Sequence, residues 1–275
     1  MKRSGRAGLA VWAVLAPAIA FALLPILWGL STAFKDNSVA EVYPPSWWPD
    51  QPTLANFARV FTGSNFGRYM LNSALVSTCA ILLTLLVSVH AGYVAARWRF
   101  RGKQSLMFFI LSMGMIPGIC ILVPVYLLVS RLGIYDTYFG LVLVYAAWQI
   151  PTAVWVMRGF LEALPRELEE AAYIDGCTRA TAFYRIVLPL TQPGMAAVAI
   201  LVFIFVWNDF LIAYALTISD NMRLIQSGLY LYVTQSGIEW ASLMAAAITA
   251  LLPPVLAFIL LQSRFIQGLT RGAVK

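Results

Sequence analysis

Leu161–Leu190 reads LEALPRELEEAAYIDGCTRATAFYRIVLPL, and it is the longest polar interval after the first third of a very apolar chain. Five of the twelve acidic residues lie in it: Glu162, Glu167, Glu169, Glu170 and Asp175. Pro165 suits a first helical turn, where its missing N–H would have no partner in any case. Glu167, Glu169 and Glu170 then fall where negative charge complements the helix dipole. Leu164, Leu168, Ala171 and Ala172 recur at i, i+4, i+7 and i+8, a narrow small-residue stripe on one face. Gly176 can take the left-handed conformation that ends a helix, and Thr178 can cap a second one running to Pro189. The stretch predicts two short helices meeting at a glycine elbow.

Its surroundings are membrane-like. The chain is 61% hydrophobic and 11% charged, with a mean hydropathy of +0.78, which excludes an ordinary soluble domain. Apolar runs near Leu9–Phe34, Met70–Ala95, Ser105–Ser130, Tyr138–Met157, Gly194–Leu216 and Ala241–Gln262 predict six spans. Each is long enough at ~1.5 Å per residue to cross a ~30 Å hydrocarbon core. None alternates as a membrane β-strand would, so helices must satisfy the backbone. Ala18-Ile19-Ala20 resembles a signal cleavage site, but the apolar run continues through Leu30, favouring an uncleaved first span. Trp47 and Trp48, in the polar interval after it, fit an interfacial belt.

Charge orients the spans. With the N-terminus inside, the inner segments hold fourteen of the 19 Lys and Arg residues, and only Lys35, Arg59, Arg68, Arg131 and Arg223 lie outside. The positive-inside rule places both termini and Leu161–Leu190 in the cytoplasm. The formal charge of +7 is thus spent on topology, and nucleic acid is not expected as a partner.

Catalytic chemistry is missing from the sequence. Gly102-Lys103 is followed by Gln104 and lacks the upstream glycine of a phosphate loop. His90 is the only histidine, so no metal site or serine triad assembles around it, and it reads as a packed or cavity-facing residue. Cys79, Cys120 and Cys177 have neither metal nor disulfide spacing and read as small buried hydrophobes. The chain reads as a non-enzyme that binds no cofactor.

Glu170-Ala171-Ala172, three residues, Gly176, nine residues, then Ile186 and, one residue on, Leu188-Pro189 resembles the EAA signature of membrane subunits of binding-protein-dependent ABC importers. The likeness is greatest to sugar-importer permeases, in particular the maltose-type second subunit. Asn72-Ser73, Leu132–Thr137, Arg158-Gly159-Phe160, Trp207-Asn208-Asp209-Phe210 and Gly268–Lys275 extend it over nearly the whole chain. It implies an all-α polytopic protein of the type I ABC importer (MetI-like) fold: a first helix and extracytoplasmic loop over 1–66, a core over 67–265 with coupling helices at about 165–189, and a tail over 266–275. It implies as partners a homologous second permease subunit, a dimer of ATP-binding subunits using ATP and Mg, and an extracytoplasmic solute-binding protein, in a bacterial inner membrane. Carried over, Glu170, Ala171, Ala172, Asp175, Gly176, Ile186, Leu188 and Pro189 would form or orient the ATPase-docking surface.

Candidate pathway residues are fewer. Asp209 lies about fifteen residues into the fifth span, roughly 22 Å along it. A carboxylate near mid-bilayer costs ~2.5–3.5 kcal/mol, so Asp209 and Asn208 should face protein or water. They read equally as cavity lining that hydrogen-bonds or gates a polyhydroxylated cargo, or as a helix-packing contact or an interfacial residue near the outer end of the span. Trp148-Gln149, before Pro151, and Pro117, with Pro124, mark helices whose interruptions can border a cavity. A sugar or sugar derivative is the expected cargo. Glycerol phosphate, a polyamine or phosphate are alternatives, as is an ATPase-independent secondary transporter, for which only Asp209 is available as an intramembrane coupling carboxylate. An interfacial membrane enzyme lacks a catalytic constellation.

Overall fold

A computed structural model describes residues 4–235 and 237–273, with side chains over 11–235 and 237–260. Lys2, Arg3 and Lys275 of the charge count, and Val274 of the matching tail, lie outside the described residues. Helices α1 (Ser4–Ala33), α2 (Asn37–Ala40), α3 (Ala55–Thr62), α4 (Phe66–Arg97), α5 (Lys103–Met113), α6 (Gly118–Arg131) and α7 (Tyr138–Glu162) come first. The polar stretch holds α8 (Glu167–Ile174), α9 (Arg179–Ala182), a π-turn at Phe183–Val187 and α10 (Leu188–Leu190). Then follow α11 (Gln192–Asn208), α12 (Leu211–Leu216), α13 (Ile225–Leu229) and α14 (Trp240–Ala273). Between α13 and α14, β1 (Val233–Thr234) and β2 (Gly237–Ile238) form a small antiparallel ribbon, Val233 opposite Ile238.

Four stretches are individually long and apolar enough to cross a membrane: Val11–Ala33, Phe66–Arg97, Tyr138–Glu162 and Trp240–Leu260. The other two expected spans are not straight helices. The third breaks between α5 and α6, which meet at 90°. Pro117 is the cause: it disfavours helical geometry at Ile116 and has no N–H to continue the ladder, and at ψ 130 it instead opens α6. The fifth belongs to a pair, Arg179–Leu190 and Gln192–Asn208, bent by 67°. Its helix stops at Asn208, because Asp209 is extended at ψ 127, and resumes as α12. Pro151 by contrast sits within an unbroken α7.

The chain forms two compact units, residues 1–67 with 228–252 and residues 68–227 with 253–275. In the first, Asn37 Oδ1 accepts from the amides of Ala241 (3.0 Å) and Ser242 (3.4 Å), capping α14 from a distant segment. Buried Asn56 donates to the carbonyls of Ala33 (2.9 Å) and Lys35 (2.6 Å), fixing the chain where it leaves α1. Trp47 meets Trp28 edge-on at 4.9 Å, while Trp48 is exposed. Among the described residues, little of the apolar span of α1 is buried.

In the second unit α7 is the axis. Leu141, Tyr145, Ala153, Met157 and Leu161 are buried on one face of it, joined by Val198, Val202 and Val206 at helical spacing on α11. Glycine sets two close approaches. A Cβ on Gly92 of α4 would stand 3.0 Å from Met157 Cβ, and one on Gly194 of α11 only 2.6 Å from Phe160 Cγ.

None of the cysteines is buried: Cys79 and Cys120 are exposed and Cys177 is intermediate. On helices with an apolar outer face a small thiol such as Cys79 or Cys120 can point outward without penalty, and Cys177 lies in the turn after Gly176 rather than on a helix, so composition alone misplaced them. The polar stretch also differs from expectation in detail. Pro165 precedes α8 rather than opening it, and the helix starts at Glu167 behind Arg166. Leu168 and Ala171 are exposed, Leu164 is partly buried, and the fully inward residues of α8 are Glu169 and Ala172. A carboxylate displaces a leucine from the inner face because α4 supplies its partners.

Candidate functional site

The stretch 167–190 is a hairpin whose turn is closed by backbone geometry. Gly176 has φ +84. Its N–H donates to Tyr173 O (3.1 Å), and the N–H of Cys177 reaches back to Ala172 O (2.9 Å), the paired bonds of a Schellman stop. Thr178 Oγ1 accepts from Thr181 N at 3.2 Å and starts the second arm. The glycine elbow and the Thr178 cap are therefore both present.

The elbow turns one face outward. Glu170, Ala171, Asp175 and Gly176 are exposed, and Ile174, next to them, is 87% exposed. Ala172 is buried, Ile186 and Leu188 are half-buried, and Pro189 is exposed. The signature thus divides between an outer surface with a large uncovered isoleucine and two carboxylates, and inner positions that seat the hairpin.

What seats it was not named from sequence. Arg97, the last residue of α4, donates from Nε to Glu169 Oε1 at 2.5 Å, and the two side chains are 9% and 7% exposed. Tyr93 Oη donates to Glu169 Oε2 at 2.6 Å. Arg97 Nη2 donates to Leu164 O (3.2 Å) and Arg166 Nη2 to Ala96 O (3.4 Å). On the second arm His90 Nδ1 lies 2.7 Å from Leu86 O, which can only accept, so the Nδ1 proton serves that bond, and Nε2 lies 3.0 Å from Tyr184 Oη. His90 itself is an exposed residue, its ring 5.3 Å from that of Phe183. About two turns of α4 therefore hold both arms of the hairpin. The signal in the sequence was the spacing of His90, Tyr93 and Arg97, which puts three hydrogen-bonding side chains on one face.

The pathway candidates form a second group. Asp209 Oδ2 accepts from Tyr145 Oη (3.0 Å) and from the amides of Ile212 (2.9 Å) and Ala213 (3.2 Å). It thereby caps α12 at the helix break. Asn208 is exposed and donates to Ile204 O, one turn back, at 2.8 Å. Trp148 and Gln149 are half-buried on α7, one turn after Tyr145. Trp148 lies 3.1 Å from where a Gly118 Cβ would stand, beside exposed Pro117. It lines, with Pro151, Ile116 and Val144, an apolar cleft of about 380 Å³ between the α5–α6 elbow and α7. Tyr145 is the member that sequence reasoning missed. Among the described residues no three His, Cys, Asp or Glu side chains gather to hold a metal.

The model for binding-protein-dependent transport system inner membrane components matches residues 88–271, a range that takes in the whole hairpin together with His90, Tyr93 and Arg97. The chain belongs to that family. Among its relatives, a probable ABC transporter permease of Sinorhizobium fredii is 39% identical over 269 residues, covering 96% of this chain and 95% of that protein. The trehalose transport system permease protein SugB of Mycobacterium tuberculosis is 33% identical over 267 residues, 96% of this chain and 97% of that one. The solved structure of a bacterial ABC transporter involved in import of the acidic polysaccharide alginate shares the fold: TM-score 0.81 at 21% identity, covering 96% of this chain and 99% of that one. This inner-membrane permease family is a transport family, not a catalytic one.

Proposed function

We propose that the chain is one of two homologous permease subunits in an ATP-driven, binding-protein-dependent importer of a sugar or sugar derivative. It crosses a bacterial inner membrane six times, the bent α5–α6 pair counting as one span and α11 with α12 as the fifth, with both termini in the cytoplasm. It binds no cofactor; ATP and Mg are used by an ATP-binding subunit dimer, and an extracytoplasmic solute-binding protein delivers the cargo. Support for the cargo class comes from relatives named for trehalose, trehalose/maltose and sulfoquinovosyl glycerol transport.

The observation that carries the reading is the outward face of the hairpin. Ile174, and on the same short helix Leu168 and Tyr173, are exposed among Glu167, Glu170 and Asp175, and exposed apolar patches rimmed by charge mark protein contacts. On this reading the ATPase grips that face: Ile174 enters an apolar recess, and Glu170 and Asp175 accept charge-assisted bonds from its basic groups. Closure of the ATPases moves the hairpin, and the Arg97–Glu169 and His90–Tyr184 bonds pass that motion to α4. The side chains of Asp209 and Trp148 border the path, buried Tyr145 holding Asp209 in place, and Asp209 keeps its Oδ1 for a cargo hydroxyl.

The test is a reconstituted complex carrying Gly176→Pro or Glu170→Lys. Both are expected to lose binding-protein-stimulated ATP hydrolysis and uptake while still assembling in the membrane. Retention of both activities in both variants rejects the coupling role.

A further inference from the structure

Beside the hairpin is a basic cleft that shares only Glu170 and Tyr173 with the proposed docking face. Its volume is about 300 Å³, and Arg97, Arg99, Arg166 and Arg179 line it with Glu169 and Glu170. Four guanidiniums therefore face two carboxylates, and one of those, Glu169, is already engaged by Arg97 and Tyr93. Among the described residues Arg99, Arg166 and Arg179 pair with no carboxylate. Arg97 commits Nε and Nη2 to Glu169 and Leu164. Arg179 lies over the ring of Trp98, 5.9 Å from its centroid, which holds one of the rim cations in place. The cleft has a floor of buried charge, a rim of cations without carboxylate partners and an excess of positive charge.

We propose that this cleft binds the phosphate of an anionic phospholipid. The chemistry recognised is a phosphate oxyanion, for which several guanidinium forks are suited donors. Lipid is the source favoured by position. The cleft stands at the end of the apolar helix α4, and the chain leaving it alternates aromatic and basic residues, Trp98-Arg99-Phe100-Arg101. Trp98 and Phe100 are 36% and 43% exposed, the pattern of an interfacial anchor. Phe108 and Phe109 on α5, which follows directly, are also uncovered and offer an apolar surface for acyl chains. Basic pockets at the cytoplasmic ends of helices take lipid headgroups by this combination of charge and apolar surface. Because Glu170 and Tyr173 line the cleft as well as belonging to α8, a headgroup there braces the docking helix against α4. Lipid composition would then tune the coupling assigned to the hairpin; this part rests on the cytoplasmic, ATPase-docking reading of the hairpin.

The experiment is a binding titration of the purified, assembled importer in neutral detergent micelles with phosphatidylglycerol, read by native mass spectrometry. Phosphatidylcholine and inorganic phosphate alone form the comparison arms. Phosphatidylglycerol is expected to be retained in preference to phosphatidylcholine and to survive millimolar phosphate. Arg99→Gln and Arg179→Gln should each weaken its binding about fivefold, whereas Arg101→Gln, a nearby cation outside the cleft, should change it less than about twofold. Equal losses in all three variants would show diffuse surface charge and overturn the proposal, as would no preference over phosphatidylcholine. Full displacement by phosphate alone would overturn the lipid source and leave a soluble-anion site. Micelle binding does not depend on which side the hairpin faces. Retained lipid with lost ATPase coupling in Gly176→Pro, whose site lies outside the cleft lining, or the reverse, therefore separates this proposal from the functional one.

Discussion

Arg97 Nε and Glu169 Oε1 stand 2.5 Å apart, a buried ion pair between the last residue of α4 and the first turn of α8. A cation at a helix C-terminus and an anion at a helix N-terminus each complement a dipole, so both helices favour the same contact. Tyr93 completes the coordination of the carboxylate, leaving neither of its oxygens without a donor. The pair joins the hairpin to the longest apolar helix of the second unit.

Removing one partner should cost far more than removing both. Glu169→Gln leaves a buried guanidinium uncompensated, at about 3 kcal/mol, whereas replacing both members with apolar residues of similar size restores most of the loss. The expected outcome is a lower thermal midpoint for Glu169→Gln and Arg97→Met singly, and recovery toward the parent in Arg97→Met with Glu169→Leu. A double-mutant cycle on the purified complex measures it. The double variant should regain stability without regaining full ATPase coupling, since an apolar contact lacks the directional bonds to Leu164 and Tyr93.

This pair also shows where the sequence was legible and where it was not. The glycine elbow, the Thr178 cap and the apolar helices follow from local chemistry: Gly at a left-handed position, a hydroxyl before a helix, long runs without charge. The inward Glu169 does not, because its place inside the fold is set by Tyr93 and Arg97, 76 and 72 positions away: their spacing marks a hydrogen-bonding face on α4, but nothing local to Glu169 points to it. The same holds for Asp209. Its position inside an apolar run was visible, but its use as a cap for α12 depends on the helix breaking just there, and on Tyr145 coming from another helix. The bends at Pro117 and near Thr191 were likewise half-legible. Proline marks where a helix can break, and only packing decides whether it does, as unbroken α7 around Pro151 shows.

Asp136 supplies a pH dependence. Its φ is +55, and its carboxylate accepts from Ile218 N (2.9 Å), Ser219 N (3.2 Å) and Ser219 Oγ. Partial burial opposes its charged form, but the bonds from the Ser219 hydroxyl and the two amides prevail and hold the carboxyl below its ordinary value. A lowered folded value means the contribution is fully present above the ordinary value of ~3.9. It is lost as the pH falls through the lower, folded one. Asp136→Asn should therefore be less stable than the parent at pH 7, by about 1 kcal/mol, with the gap closing in acid. Asn tolerates the positive φ, so the comparison isolates the charge. Thermal melts of the purified protein from pH 7 down to about 3 provide the measurement, and a gap independent of pH would contradict it.

Gly140 tests the start of α7. A Cβ there would lie 2.2 Å from Ile134 O, a backbone atom that cannot swing aside. Its own N–H donates to Thr137 Oγ1 at 3.1 Å in the helix cap. Gly140→Ala should cost at least the ~1–3 kcal/mol typical of overpacking, and Thr137→Ala about 1 kcal/mol for the lost cap. Because the two share one turn, their effects should not add. In thermal melts the double variant should lose less than the sum of the two single losses, and strict additivity would contradict the shared turn.

Gly176 and Gly194 separate backbone strain from lack of space. Gly176 has φ +84 with nothing within 4 Å of where a Cβ would stand, whereas Gly194 has ordinary helical geometry but its Cβ would sit 2.6 Å from Phe160 Cγ. Alanine at Gly176 should cost about 1 kcal/mol by conformation alone, and asparagine less, since it takes the left-handed cap more readily. At Gly194 the order reverses. Alanine costs ~1–3 kcal/mol by overpacking, and asparagine, being larger, costs more. The decisive measurement is the rank order of thermal midpoints for the four variants, asparagine above alanine at Gly176 and below it at Gly194. Truncating the obstructing ring with Phe160→Leu should rescue Gly194→Ala in part and leave Gly176→Ala where it was, because room is what Gly194 provides and a left-handed turn is what Gly176 provides.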